Sequence, residues 1–224
     1  MTKSIAILQS DYIPWRGYFD LMRSVDEFVI LDSVQFTKND WRNRNRIRIG
    51  NSPAWLTIPI RTAGRFGQKI AEAEVCDSGW ARRHWRTISQ QYARAPYFRR
   101  YGEEIEAAYG RAAGETRLSS INRLFLDLAR GWLRIETPIA SSESYPCEPD
   151  RVERLIAICR AAGARRYLSG PAARAYLDPR RFEAVGIQVR FHDYSGGSTS
   201  LNDCEIPLSI VDRVLQRGAE SAWQ

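Results

Sequence analysis

Ile5–Leu8 is a short unbroken apolar run, and Gly17–Val25 places Phe19, Leu21, Met22 and Val25 on one side of a helical repeat. Glu27–Asp32 is a second continuous apolar run, the pattern of a strand covered on both sheet faces. Strand, helix and strand within about 30 residues predict a βαβ unit with a right-handed crossover. The pattern then changes. Residues 42–49 and 54–60 read as extended runs about Gly50-Asn51-Ser52-Pro53, a hairpin signal. Lys69–Val75 reads as a further extended run, so residues 42–76 are expected to form a small antiparallel β insertion.

Residues 78–134 carry helical periodicity. Ser78 is placed to cap a helix bearing Trp80, His84, Trp85, Ile88 and Tyr92. Pro96 opens the next helix, and Ser119-Ser120 precede a third that ends near Gly131. The aromatic spacing suits core packing better than a base-stacking platform. From Ile135 the α/β rhythm resumes: strand Ile135–Ala140, helix Pro149–Ala162, strand Tyr167–Ser169, helix Pro179–Val185, strand Ile187–Phe191 and a helix from Ser209. Residues 135–224 thus complete a core begun at the N-terminus. The expected fold is one α/β domain, 1–224, with a doubly wound five-stranded parallel sheet, a β insertion and a helical segment. The ending AESAWQ reads as a loose tail.

At 224 residues such a domain can bury a substantial core. No apolar run approaches the roughly 20 residues of a membrane span. The first run, cut by Gln9 and Asp11, is too short for a secretion signal, so a cytoplasmic location is expected. Cys76, Cys147, Cys159 and Cys204 are widely spaced, form no C-x-x-C pair and read as free thiols. Cys159 sits in an apolar helical stretch and reads as buried rather than nucleophilic. With His84 and His192 the only imidazoles, no metal site is expected. The net charge of +7 suggests an anionic partner: a nucleotide, phosphorylated sugar, nucleic acid or membrane surface. The excess is nearly all arginine, thirty against three lysines, which GC-rich coding also produces, so charge alone decides little.

In doubly wound sheets, ligands bind beyond the carboxyl ends of the strands. The first strand ends at Gln9–Tyr12, the second at Asp32–Lys38, the fourth at Ser169-Gly170-Pro171 and the fifth at His192-Asp193-Tyr194. Pro14 fixes the chain before the first helix, Gly17 lets backbone approach closely, and Arg16 adds charge for an anion at that helix start. Asp32 and Asp193 are acids at strand tips; Lys38 and Tyr12 are donors to developing negative charge. In KNDWRNRNRIRI, Arg42, Arg44, Arg46 and Arg48 share one face of an extended strand and Asn43, Asn45, Ile47 and Ile49 the other. Arg42 and Arg44 read as ligand contacts, Arg46 and Arg48 as a charged edge. G-x-G-x-x-G, Walker and G-x-S-x-G motifs are all missing.

LQSDYIP (8–14) with GYF (17–19), then DSVQFTKNDWRNR (32–44), resemble the WbqC-like family of bacterial proteins, often found with surface-polysaccharide genes. YF (97–98), YLSG (167–170), YLD (176–178) and LSIVD (208–212) add weaker marks. The resemblance implies a role in making or modifying a glycan, with acylation or aminoacylation of an amino-sugar nucleotide as the candidate reaction. A more distant likeness joins PWRGY (14–18) to the nucleotide-binding turn of nucleotidyltransferases and pantothenate synthetase. DSVQF (32–36) in turn resembles the strand end where pantothenate synthetase holds its carboxylic acid. This implies a HUP-like core in which Gln9 and Gln35 orient a carboxylate, Arg16, Lys38 and Arg42 face phosphates, and Tyr12 and Ser169 position the ligand. ATP with Mg2+, or alternatively an acyl donor, would be the cofactor. The chain departs from that pattern by carrying Trp15 and Tyr18 where those enzymes have two histidines.

The candidate catalytic residues are therefore Tyr12, Asp32, Gln35, Lys38 and Asp193. The candidate binding residues are Gln9, Pro14, Arg16, Gly17, Tyr18, Arg42, Asn43, Arg44, Ser169, Gly170 and His192. The expected partner is a small anionic substrate. The alternative is a non-catalytic RNA or polyanion binder that uses Arg42–Arg48, against which stands the lack of the aromatic-glycine signatures of common RNA modules.

Overall fold

A computed structural model describes residues 2–194, 207–221 and 223. Cys204 and residues 222 and 224 of the expected tail lie outside the described residues. In chain order the elements are β1 (Ser4–Leu8), α1 (Arg16–Arg23), β2 (Glu27–Ile30), β3 (Arg44–Ile49), β4 (Ser52–Thr57), α2 (Trp80–Tyr92), α3 (Phe98–Ala112) and α4 (Leu118–Leu133). They continue with β5 (Ile139–Ser141), α5 (Arg151–Ala161), β6 (Arg166–Ser169), α6 (Pro179–Glu183), β7 (Gln188–Phe191) and α7 (Ile210–Arg217). The described residues fall into two compact units. One is drawn from Met1–Gln9, Gly17–Ser33 and Ile135–Leu201, the other from Ser10–Arg16, Val34–Arg134 and Asn202–Gln224.

The first unit holds a five-stranded, wholly parallel sheet in the order β5-β2-β1-β6-β7. Numbered within the sheet, that order is 3-2-1-4-5, the doubly wound arrangement whose topological switch point lies between the first and fourth strands. Both faces of the central strands are covered, which is why β1 and β2 are apolar without alternation, whereas β7 alternates exposed Gln188 and Arg190 with half-buried Val189 and Phe191. Ile5, Ile7 and Val29 pack with Leu155, Ile156 and Cys159 of α5 and with Phe182 of α6. On the opposite face Phe28 meets Tyr18 of α1, ring centroids 5.3 Å apart. Asp150 caps α5 by accepting from Val152 and Glu153 N–H, and Asp178 caps α6 through Arg180 N–H.

The third strand of this sheet is shorter than the expected Ile135–Ala140. Arg134 ends α4 in the left-handed region at φ 53, and pairing begins only after Pro138, whose carbonyl accepts from Phe28 N–H at 2.9 Å. Proline has no N–H to extend the ladder further back.

The second unit contains the antiparallel β3–β4 hairpin, and α3 packs against α2, α4 and α7. The hairpin turn is two residues tighter than expected: Ile49 pairs with Ser52, and Gly50 supplies the positive φ of 58 at the first turn position. Lys69–Val75 is not a strand. It contains a 3-10 turn, Ile70–Glu72, in which Glu72 accepts from Lys69 N–H while Ile70 is buried, and only single bridges flank it. Alternating Ala and Glu imitated extended periodicity there. Ser78 does not cap α2; Gly79 occupies that position, its N–H held by Asp77 Oδ1 at 2.8 Å. Ser119 and Ser120 lie inside the first turn of α4, while Ser209 caps α7 as expected. The start of the expected tail is also ordered: Ala219 is buried and its N–H points to the Tyr101 hydroxyl at 3.4 Å.

Candidate functional site

The carboxyl ends of β1, β6 and β7, together with α1, gather several of the expected residues within the first unit. Gln9 follows β1, and its carbonyl accepts from the Tyr18 hydroxyl at 3.1 Å, so Tyr18 closes the turn's end of the strand. Ser169 ends β6 and is buried; its carbonyl takes the His192 N–H at 2.8 Å, extending the β6–β7 ladder one step. Gly170 follows, and a Cβ there would stand 3.4 Å from the Tyr194 hydroxyl, so a glycine leaves that hydroxyl room. The His192 ring lies against Tyr194 at 4.8 Å and its Nε2 is 2.7 Å from Asp20 Oδ2 on α1.

Electrostatics reinforce this cluster. Burial alone would raise the Asp20 carboxyl, but hydrogen bonds with His192 and Arg23 outweigh it and hold the pKa below the usual carboxylate value. Tyr194 moves the other way: burial, then the Asp20 charge, push its hydroxyl up to about 12. Asp32 is buried just past β2, where Ser33 and Ser142 hydroxyls meet at 3.0 Å. Asp193 is exposed after β7. Asp20 and Tyr194 are the residues that sequence reasoning left out of its candidate set. A carboxylate on the polar side of the first helix, paired with one of two histidines in the chain, was the available signal.

The remaining expected residues belong to the second unit. Tyr12 is fully buried, and its hydroxyl is 2.9 Å from His84 Nδ1 and 2.5 Å from the Tyr109 hydroxyl, among Trp80 and Phe125. Burial, then Tyr109, raise its pKa well above that of a free phenol. This corrects its expected role: the hydroxyl is committed inside the core and offers no open edge to a substrate. Pro14 is buried, its carbonyl accepting from Ile210 N–H at 2.8 Å, and Arg16 opens α1 half-buried. Gln35 is exposed and bridges to Lys69; Lys38 is exposed.

Arg42, expected to face phosphate, instead has a protein carboxylate beside it, with Nε 2.9 Å from Asp11 Oδ1 and both side chains 12% exposed. Asn43 is buried and donates to the Ile58 carbonyl at 2.8 Å. Arg44 stands outward on β3, 4.1 Å over the Trp55 ring, and Arg46 shares that setting rather than forming a separate edge.

Ile13 has φ 38, an unusual conformation for a β-branched residue. Its carbonyl accepts from Asn45 Nδ2 at 3.0 Å and from the Ser209 hydroxyl at 2.8 Å; Asn45 also holds the Tyr12 carbonyl at 3.0 Å. Asn45 was read only as one face of an alternation, yet it and Ser209 fix this turn. Cys159 is buried and its thiol is pushed up to about 12 by burial, as its apolar setting suggested. No helix among the described residues is long and apolar enough to cross a membrane.

No solved structure matches the chain. It is 41% identical over 222 residues to the uncharacterized protein Rv1507c of Mycobacterium tuberculosis (strain ATCC 25618 / H37Rv), covering 98% of this chain and 96% of that relative. The model of the WbqC-like protein family matches residues 9–223. With this match spanning nearly all of the sequence, the chain belongs to the WbqC-like protein family.

Proposed function

We propose that the protein is an enzyme of bacterial surface-polysaccharide biosynthesis that acylates or aminoacylates the amine of an amino-sugar nucleotide. The observation that carries this reading is the 3-2-1-4-5 parallel sheet, with Gln9, Ser169, Gly170 and the His192–Asp20 pair at the carboxyl ends of its strands and on the adjoining helix. A HUP-like core of this order takes a nucleotide at its switch point, and an imidazole held by a carboxylate is suited to moving a proton.

In the proposed reaction the amine nitrogen attacks the carbonyl carbon of an activated carboxylate. The new C–N bond forms, the leaving group departs with its electron pair, and the amine's surplus proton passes to His192. Asp20, accepting at Nε2, fixes the ring so that Nδ1 takes that proton. ATP with Mg2+, or a preformed acyl donor, would supply the activated carboxylate. The oxyanion would draw on donors at the β6 end, where Ser169 and Gly170 lie.

The test is product formation, read by mass, from nucleotide-linked amino sugars offered with acyl-CoA or with ATP and a carboxylic acid. His192→Ala is expected to lower kcat roughly 100-fold or more. Asp20→Asn should shift the pH profile while leaving KM for the sugar nucleotide close to that of the native chain. Turnover by His192→Ala at the native rate would refute the assignment, as would failure of every nucleotide-linked amino sugar to react or raise the melting temperature.

A further inference from the structure

The outward face of the β3–β4 hairpin carries a cluster that this reaction leaves unused. Along β3, Asn45 and Ile47 are buried while Arg44 and Arg46 stand half-exposed between them and Arg48 is exposed. Arg46 lies directly across the hairpin from Trp55, and Arg44 pairs with Thr57 one step along the same face. Trp55 is 43% exposed and sits beside Trp41, ring centroids 5.4 Å apart. The Arg44 guanidinium is 4.1 Å above Trp55; that of Arg46 is 4.9 Å from Trp55 and 5.1 Å from Trp41. Two guanidiniums are thus layered on two adjoining indoles.

Such stacking orients the forks but leaves their charge uncompensated. Among the described residues neither Arg44 nor Arg46 pairs with a carboxylate, whereas their neighbour Arg42 has Asp11. The Nε of each is buried without a hydrogen-bond partner among the described residues. Burial and then the charge of Arg44 depress the pKa of Arg46, the expected sign for like charges held together.

The geometry points to a binding site for a compact diphosphate on the Arg44–Arg46 pair, the group present in a nucleoside diphosphate or a nucleotide-linked sugar. Guanidinium forks grip phosphate oxygens in pairs, and two forks match two linked phosphoryl groups. Because the indoles already restrain both side chains, little further freedom is lost when the anion arrives. Among the described residues no indole lies beneath Arg48, so the prearranged charge ends after two residues. A linear polyanion would call for the row to continue. This inference rests on the second unit alone and does not depend on the proposed reaction.

The test is titration calorimetry of the full chain at low salt with inorganic pyrophosphate, a nucleoside diphosphate and a single-stranded oligonucleotide. Pyrophosphate and the nucleoside diphosphate are expected to bind. Their affinity should fall at least about tenfold in Arg44→Gln and in Arg46→Gln, and hold in Arg48→Gln. Arg46→Lys, which keeps the charge and loses the fork, should also bind more weakly and guards against a folding defect in the glutamine variant. Three outcomes overturn the site: no pyrophosphate binding, an equal loss in Arg48→Gln, or an oligonucleotide preferred tenfold or more over the nucleoside diphosphate. Binding that survives the Arg44 and Arg46 changes but vanishes in His192→Ala belongs to the first unit, and also overturns it.

Discussion

His84 gives the second unit a calculable response to acid. The ring is buried on α2, with Nδ1 2.9 Å from the Tyr12 hydroxyl and a further hydrogen bond to the backbone of Thr57. Burial lowers its pKa to about 4, overriding the Thr57 backbone, which favours a charged ring, while Arg83 adds a smaller depression. Neutral His84 accepts a hydrogen at Nδ1; a protonated ring could not, and Tyr12 would have to turn its hydroxyl away. The unfolded chain, titrating near 6.5, takes up this proton first. Stability is therefore fully present above about pH 7 and lost as pH falls toward 4. At about 1.4 kcal/mol per unit, a depression from 6.5 to about 4 amounts to about 3 kcal/mol, of which about 2 kcal/mol is already lost at pH 5.

The assay is denaturant unfolding of the native chain and of His84→Phe at pH 7, 6 and 5. The variant should be less stable at pH 7 by about 1–3 kcal/mol, having lost the partners of Tyr12 and Thr57. Carboxylates such as Asp20 and Glu27 titrate in both proteins and cancel in the difference. The stability gap should narrow by about 2 kcal/mol between pH 7 and pH 5. A gap that stays constant across that range would show that His84 is not held neutral by burial, and would refute the reasoning.

Tyr92→Phe should cost about 1–3 kcal/mol by the same denaturant measurement, because the hydroxyl donates to buried Asp212 at 2.5 Å and accepts from Arg48 N–H at 3.1 Å. Asp212→Asn should cost less, since an amide oxygen still accepts from Tyr92. Cys159 should resist alkylation in the native chain at pH 8 while exposed Cys76 and Cys147 react, as read by peptide mass spectrometry; labelling all three at equal rates would contradict its burial. Asn45→Ala removes the donor to two turn carbonyls and should lower stability by about 1–3 kcal/mol. In an Ile13→Gly background, where φ 38 carries no strain, that loss should shrink by about 1 kcal/mol; strict additivity would argue against a clamp.

The sheet was readable because buried parallel strands are apolar on both faces, so Ile5–Leu8 and Glu27–Ile30 stand out without alternation. The alternation of β3 was equally readable, and burial follows it residue by residue from Arg44 to Ile47. What it supports was not. Trp55 reaches Arg46 only through a hairpin register that a two-residue turn sets, and the turn was expected to be longer. Tyr12 and His84 are 72 positions apart, and their hydrogen bond leaves no local trace. Lys69–Val75 misled because a 3-10 turn stabilised by Glu72 has no periodic signature of its own. The His192–Asp20 pair spans 172 positions and joins a strand end to a helix, again a product of topology rather than spacing.

The segment between β1 and α1 raises a different question: why a strand should break into polar, aromatic and proline residues. Ile13 is the key. A left-handed conformation at a β-branched residue costs on the order of 1–3 kcal/mol and persists only where the surroundings over-determine it. Glycine would remove the strain, but Ile13 is buried and its side chain fills core space, so the conformation is retained and held from outside. Asn45 and Ser209 supply three hydrogen bonds to the Tyr12 and Ile13 carbonyls, and Tyr12 N–H donates to the Trp41 carbonyl at 3.0 Å. Trp15 bridges to Ser209, and Pro14 fixes φ between them. The polar residues of this stretch thus have much of their role in the second unit, where they set the backbone of the turn.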